Sequence, residues 1–154
     1  MKTALFFFLI LFLSCESNLK NTENLFTSTS IQKLQPQNHS ISPIDITVLD
    51  NVERHIYDYT ESDELGLIKM HAPATWTEPI VELQFKTTGI VLNGTLGLEF
   101  KEGIDSIVTG NGFVIPKQTR VRIFNAGEDE LILIETLQPA YKKELTKVFT
   151  DFEN

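Results

Sequence analysis

The chain has 154 residues, 42% hydrophobic and 22% charged, with 13 Lys and Arg against 21 Asp and Glu and a formal net charge of −8. That is the size of one ordinary domain, and the excess of acid argues against a nucleic-acid partner, whose binding rests on Lys and Arg neutralising phosphates. With one cysteine and three histidines, no internal disulfide can form and a Cys/His zinc centre lacks ligands.

Met1-Lys2 is a short basic start, residues 4–13 are an unbroken apolar run, and Ser14-Cys15 follows. The run is too short for a membrane-spanning helix, which needs about 20 residues. A basic start, a short apolar stretch and a small residue before the cut make up a secretory signal, read here over residues 1–14. Leu11-Phe12-Leu13-Ser14-Cys15 resembles the bacterial lipobox, although Phe12 stands where that motif most often has Leu. The resemblance implies cleavage before Cys15, a diacylated thiol carrying palmitate-type chains, a lipid bilayer as partner, and residence in the bacterial cell envelope. Two acyl chains are what stable anchoring requires. The plainer alternative is a secretory signal followed by an incidental thiol.

Residues 15–40 are rich in Asn, Ser, Thr and Gln, include Pro36, and show no sustained apolar period. Such composition buries too little surface to offset ordering entropy, so the segment reads as a flexible tether, with His39 as an exposed loop histidine.

Over 41–154 the pattern changes to short runs rich in Val, Ile, Phe, Tyr and Thr. Strands are expected at 44–49, 55–60, 65–71, 80–86, 89–92, 95–101, 106–108, 112–115, 120–125 and 131–137. Asn93-Gly94, Gly110-Asn111-Gly112 and Ala126-Gly127-Glu128-Asp129 punctuate them. Many short strands at this spacing predict an all-β sandwich or barrel. Near the end the period changes: Tyr141, Leu145, Val148, Phe149 and Phe152 fall on one helical face, with Lys142, Lys143, Glu144 and Lys147 on the other and Pro139 near the start. This spacing predicts an amphipathic helix over 140–153 that covers an apolar face of the barrel or, less simply, meets a partner.

Two stretches resemble the paired motifs of the cupin superfamily, whose members are small jelly-roll barrels, or double-stranded β-helices. Gly112-Phe113-Val114-Ile115-Pro116-Lys117, residues 119–125 and Leu131-Ile132-Leu133-Ile134-Glu135 follow the family's order of glycine, apolar strand, proline, turn, strand and asparagine. Gly89-Ile90-Val91-Leu92-Asn93-Gly94-Thr95-Leu96-Gly97-Leu98 is similar to the strand, tight turn and strand that close the first motif. The resemblance implies a single cupin-like barrel. It also implies where a metal would sit, and there the chain departs from the family. The second motif's histidine falls on Val121, the first motif's carboxylate on Thr87, and its His-x-His pair on Ile80 and Glu82 or on Val81 and Leu83. One surviving carboxylate cannot hold a divalent transition metal, so the expectation is a barrel without metal or other cofactor.

Two registers remain open for the wall. Either Ile80, Glu82, Gln84 and Lys86 face the lumen, or Val81, Leu83 and Phe85 do. Likewise Val121, Ile123 and Asn125 share one face, and Arg120, Arg122 and Phe124 the other. Candidate pocket residues are Glu82, whose burial would suit it to acid–base work; His71 and Trp76, which could form a platform at the barrel mouth; and Tyr57, Gln84 and Arg122. His71 and Trp76 are equally compatible with plain packing, and the His55, Tyr57 and Tyr59 face with a half-exposed outer wall.

Three functions fit. The first is an envelope-anchored, metal-free module that binds a small molecule such as a carbohydrate. The second is a metal-independent isomerase, epimerase or lyase in which Glu82 and His71 act as acid and base while Tyr57 or Arg122 holds the substrate. The third is a scaffold without a pocket, working as a homodimer. The choice depends on what lines the barrel, since fold does not dictate function.

Overall fold

The computed structural model describes residues 39–49 and 52–153. The signal expected over 1–14, the expected acylation site Cys15 and all of the expected tether except His39 and Ser40 lie outside the described residues. Among the described residues no helix is long and apolar enough to cross a membrane.

Among the described residues eleven strands form two antiparallel sheets: β1 (Ile44–Val48), β2 (Arg54–Asp58), β3 (Gly66–Ala72), β4 (Ile80–Leu83), β5 (Lys86–Asn93), β6 (Thr95–Phe100), β7 (Gly103–Val108), β8 (Gly112–Ile115), β9 (Thr119–Asn125), β10 (Leu131–Gln138) and β11 (Thr146–Phe149). One sheet has the order β1-β2-β3-β10-β5-β8 and the other β11-β4-β9-β6-β7. This is the all-β class that the strand-and-turn pattern predicts, in the jelly-roll arrangement that the cupin resemblance implies.

The core lies between the sheets and draws mainly on alternate residues of β3, β4, β5, β6, β8, β9 and β10. Val81 and Leu83 of β4, Val121 of β9, Leu96 and Leu98 of β6, Val91 of β5, Ile115 of β8 and Leu131 and Leu133 of β10 are all buried. The register question is therefore decided in favour of the apolar set of β4, because placing Glu82 inward would have put hydrocarbon in water along the whole strand.

Two turns hold the barrel's geometry. Gly94, at the tip between β5 and β6, has φ +79, and a Cβ there would meet the Glu130 carbonyl oxygen at 2.8 Å. Asn125 is buried and donates through Nδ2 to the Asp129 carbonyl at 2.8 Å, while its Oδ1 accepts from the Gly127 N–H at 2.9 Å. It thereby closes the turn between β9 and β10, the local hydrogen bonding for which Asn is suited.

The expected helix over 140–153 is corrected. Only a single 3-10 turn, Lys143–Leu145, precedes β11, which pairs antiparallel with β4 so that Lys147 opposes Glu82 and Phe149 opposes Ile80. The apolar spacing suited a helix, but β4 offers an unpaired strand edge, and Thr146, Val148 and Phe149 are good strand formers. Phe149 also lies under the Arg120 guanidinium, 3.8 Å from its ring centroid.

Candidate functional site

A cavity of about 410 Å³ opens between the two sheets, within the range of small-molecule sites, roughly 300–1,000 Å³. Its wall is mainly hydrocarbon, with Ile68, Met70, Val81, Leu83, Phe113 and Leu133 among the lining residues. Into this surface project Arg54 and Asp58 of β2, Trp76 and Glu78 of the loop before β4, Thr87 of β5 and Glu135 of β10.

The backbone explains how these groups meet. In the first sheet Asp58 pairs with Ile68, Ile68 with Glu135, and Glu135 with Gly89, so one rung of the ladder carries Asp58 and Glu135 toward the lumen on either side of Ile68. Gly89 leaves room for the Phe113 ring, which occupies the place of a Cβ there and brings an apolar surface to the strand next to Glu135. The loop carrying Trp76 and Glu78 is tied to β9: the Asn125 N–H donates to the Trp76 carbonyl at 3.0 Å and the Glu78 N–H to the Ile123 carbonyl at 2.8 Å. Arg54 then joins the loop to β2. It pairs with Glu78 at 2.6 Å, and its guanidinium lies 5.4 Å from the centroid of the Trp76 ring. Asp58 is engaged at its own strand end, where Oδ1 accepts from the Thr60 N–H at 2.8 Å.

Burial pushes Glu135 up to about 7; the negative charge of Glu78 adds to the rise, and Arg54 opposes it. Arg54 is already paired with Glu78, so it offsets only part of the cost of ionising a second carboxylate in a low-dielectric cavity. Three further polar atoms of the wall, the Trp76 indole Nε1 and the Thr87 and Thr146 hydroxyls, are buried without a hydrogen-bond partner. Such unsatisfied groups are uncommon in folded proteins and call for a reason.

The other sequence candidates stand elsewhere. Glu82 points away from the cavity, accepting from the Gln84 side chain at 2.8 Å and from Lys147 at 3.3 Å. His71 and Tyr57 lie on the outer face of the first sheet, where their rings meet edge-on at 5.5 Å and His71 Nδ1 is 3.4 Å from Glu130. Arg122 is paired with Glu99 on the outer face of the second sheet, Nε to Oε2 at 2.6 Å. Of the candidates only Trp76 lines the lumen. The acid–base pair expected of Glu82 and His71 is thus corrected: they share no cavity, because Glu82 alternates with the inward Val81 and Leu83 of β4 and His71 with the inward Met70 and Ala72 of β3. The platform expected of His71 and Trp76 separates for the same reason.

Arg54, Glu78 and Glu135 were not among those candidates. Glu135 carried a signal, a lone carboxylate inside the apolar run Leu131-Ile132-Leu133-Ile134-Glu135-Thr136-Leu137. Arg54 and Glu78 carried none, since a charge at a strand end or beside Pro79 reads as solvated.

The metal positions implied by the cupin resemblance do not fit an ion. Facing inward there are Val81, Leu83, Thr87 and Val121, which are three hydrocarbons and one hydroxyl, against the three or four N, O or S ligands a transition metal takes. Among the described residues no group of three or more His, Cys, Asp or Glu side chains is placed to hold a metal.

No family model matches the chain. A curated endoribonuclease YbeY of Myxococcus xanthus (strain DK1622) is 29% identical over 91 residues, 59% of this chain but 31% of that protein, so the chain spans under a third of that relative's length. Among solved structures, an RmlC-like cupin from Shewanella frigidimarina NCIMB 400 superposes with a TM-score of 0.55 at 15% identity, covering 65% of this chain and 88% of the other. A putative ethanolamine utilization protein EutQ from Salmonella typhimurium LT2 gives 0.51 at 14%, covering 66% and 99%. KdgF from Halomonas sp. gives 0.51 at 15%, covering 60% and 85%. At these identities the likeness is one of fold.

Proposed function

We propose that this chain, whose fold is that of the cupin superfamily, is a small-molecule-binding module that receives a largely apolar ligand in the cavity between its sheets. The observation that carries the reading is the cavity itself, an open hydrocarbon-walled space with a few polar groups gathered on it. A scaffold without a ligand would have filled that space, because close packing is what a barrel core otherwise gains from. The lining favours an amphiphile over a carbohydrate, since a sugar buried against Ile68, Met70 and Leu133 would leave most of its hydroxyls without partners. Anchoring through an acylated Cys15 belongs to the same proposal: it would hold the module at the envelope, where amphiphiles partition.

The test is a thermal-shift and calorimetric comparison of the 2-undecanone, δ-decalactone, decanoate, decylamine and glucose responses. Binding to the native state alone must raise the midpoint. At least one ten- or eleven-carbon probe is expected to do so and glucose is not; no response from any of them overturns the reading. The anchor has its own check. Radiolabelled palmitate should enter the full chain expressed in a bacterial host and should be lost in Cys15→Ser, and an unlabelled wild-type chain counts against it.

A further inference from the structure

The polar groups of the cavity say which amphiphile it takes, provided the cavity is the binding site proposed above. Trp76 Nε1 can only donate a hydrogen bond and the Thr87 hydroxyl can donate or accept; both side chains are almost wholly buried, at 3% and 2% exposure, and neither atom has a partner. Glu135 lies on the same wall, and its strand neighbour β5 carries Thr87 on the same face, two positions along from Gly89. The charged groups facing Glu135 from the elements around it are Arg54 and Asp58 of β2 and Glu78 of the loop before β4, with the Tyr141 phenol beyond the end of β10. Arg54 is matched by Glu78 at 2.6 Å. A ligand carboxylate would therefore add a negative charge beside Asp58 and Glu78 with Arg54 already engaged, and a ligand ammonium, which has no lone pair, would leave the Trp76 N–H without an acceptor. The first is a buried charge without a counter-ion and the second keeps a buried donor unpaired, and both are costly.

We infer that the cavity selects an uncharged molecule whose apolar body bears carbonyl or ester acceptors, and that the protonated carboxyl of Glu135, the Thr87 hydroxyl and the Trp76 indole N–H are the donors that receive them. The same arrangement makes retention dependent on proton uptake. Ionised Glu135 has no hydrogen to donate and repels a carbonyl oxygen, so the binding-competent form is the protonated one. With the group titrating at about 7, the apparent Kd rises in inverse proportion to the protonated fraction.

The experiment measures 2-undecanone, δ-decalactone, decanoate and decylamine binding to the full chain by calorimetry at about pH 6 and about pH 9, in the wild type, Glu135→Gln and Thr87→Val. The neutral ketone and lactone are expected to bind more tightly than either charged probe, and to weaken by about 100-fold between the two pH values. Glu135→Gln, whose amide donates at any pH, should hold them with an affinity that no longer changes with pH. Thr87→Val preserves shape and should weaken the lactone while leaving the pH dependence intact; it keeps the test open should Glu135→Gln fail to fold. Preference for decanoate or decylamine, or equal ketone binding at both pH values, overturns this inference and leaves the small-molecule reading standing. If no probe binds, both fall.

Discussion

Glu135 and Glu82 are both carboxylates set among apolar strand residues, and the molecule treats them in opposite ways. Glu82 sits on the outer wall, where the Gln84 amide and the Lys147 ammonium reach it from the solvent side. Glu135 sits on the inner wall beside Ile68 and Gly89, where burial and the Glu78 charge hold its proton up to about 7. The residue type is the same; what differs is one position of strand register. An acid becomes chemically unusual in this barrel only where the sheet turns it inward, so burial rather than composition makes the site.

Stability measurements can break that contrast. The largest effect should come from Glu135→Gln. The folded chain keeps the proton up to about 7 while the unfolded chain loses it near 4.5, so the stability this carboxyl contributes is complete below about 4.5 and is lost as the pH rises through about 7. The neutral amide removes that loss, and by about pH 8 the variant should exceed the wild type by at most about 3 kcal/mol in urea denaturation. Identical stability–pH curves for the two proteins would show that Glu135 is solvated after all.

Arg54→Leu comes next. It leaves Glu78 beside Glu135 with the neutralising guanidinium gone, and should cost about 2 kcal/mol at about pH 8, less than the 3–5 kcal/mol of a fully buried pair because Glu78 keeps partial exposure. The loss should shrink as the pH falls and Glu135 takes up its proton. Glu130→Gln should cost under about 1 kcal/mol, since its contact with His71 is long and on the outer face. Lys147→Met should be smallest, within about 0.5 kcal/mol, because the pair with Glu82 is exposed at the lysine and is screened by salt. A cost at Lys147 as large as that at Arg54 would erase the distinction between the walls.

The strands, the turns at Gly94 and Asn125 and the all-β class were legible in the chain, because alternation and turn chemistry are local properties. The cupin resemblance and the jelly-roll superpositions agree on the same architecture. The C-terminal segment was misread for an equally physical reason. Tyr141, Leu145, Val148 and Phe149 suit a helix by spacing, but the free edge of β4 supplied hydrogen bonds that drew Thr146–Phe149 into the sheet. Of the proposed pocket residues Trp76 lines the cavity, and Glu82, His71, Tyr57, Gln84 and Arg122 stand on outer surfaces or edges. They were chosen for their chemistry, and chemistry alone does not reveal which way a strand faces.

Local order in the chain was enough to specify β-strands with apolar faces, tight turns where they are needed, and the absence of metal-binding side chains at the positions the cupin resemblance marks. Which face became the lumen, and that Arg54, Glu78 and Glu135 from distant stretches would meet on it, depended on pairing between β2, β3 and β10 and on the loop tied to β9. Period-two alternation is satisfied equally by either face, and only burying the larger apolar set against the opposite sheet breaks that symmetry.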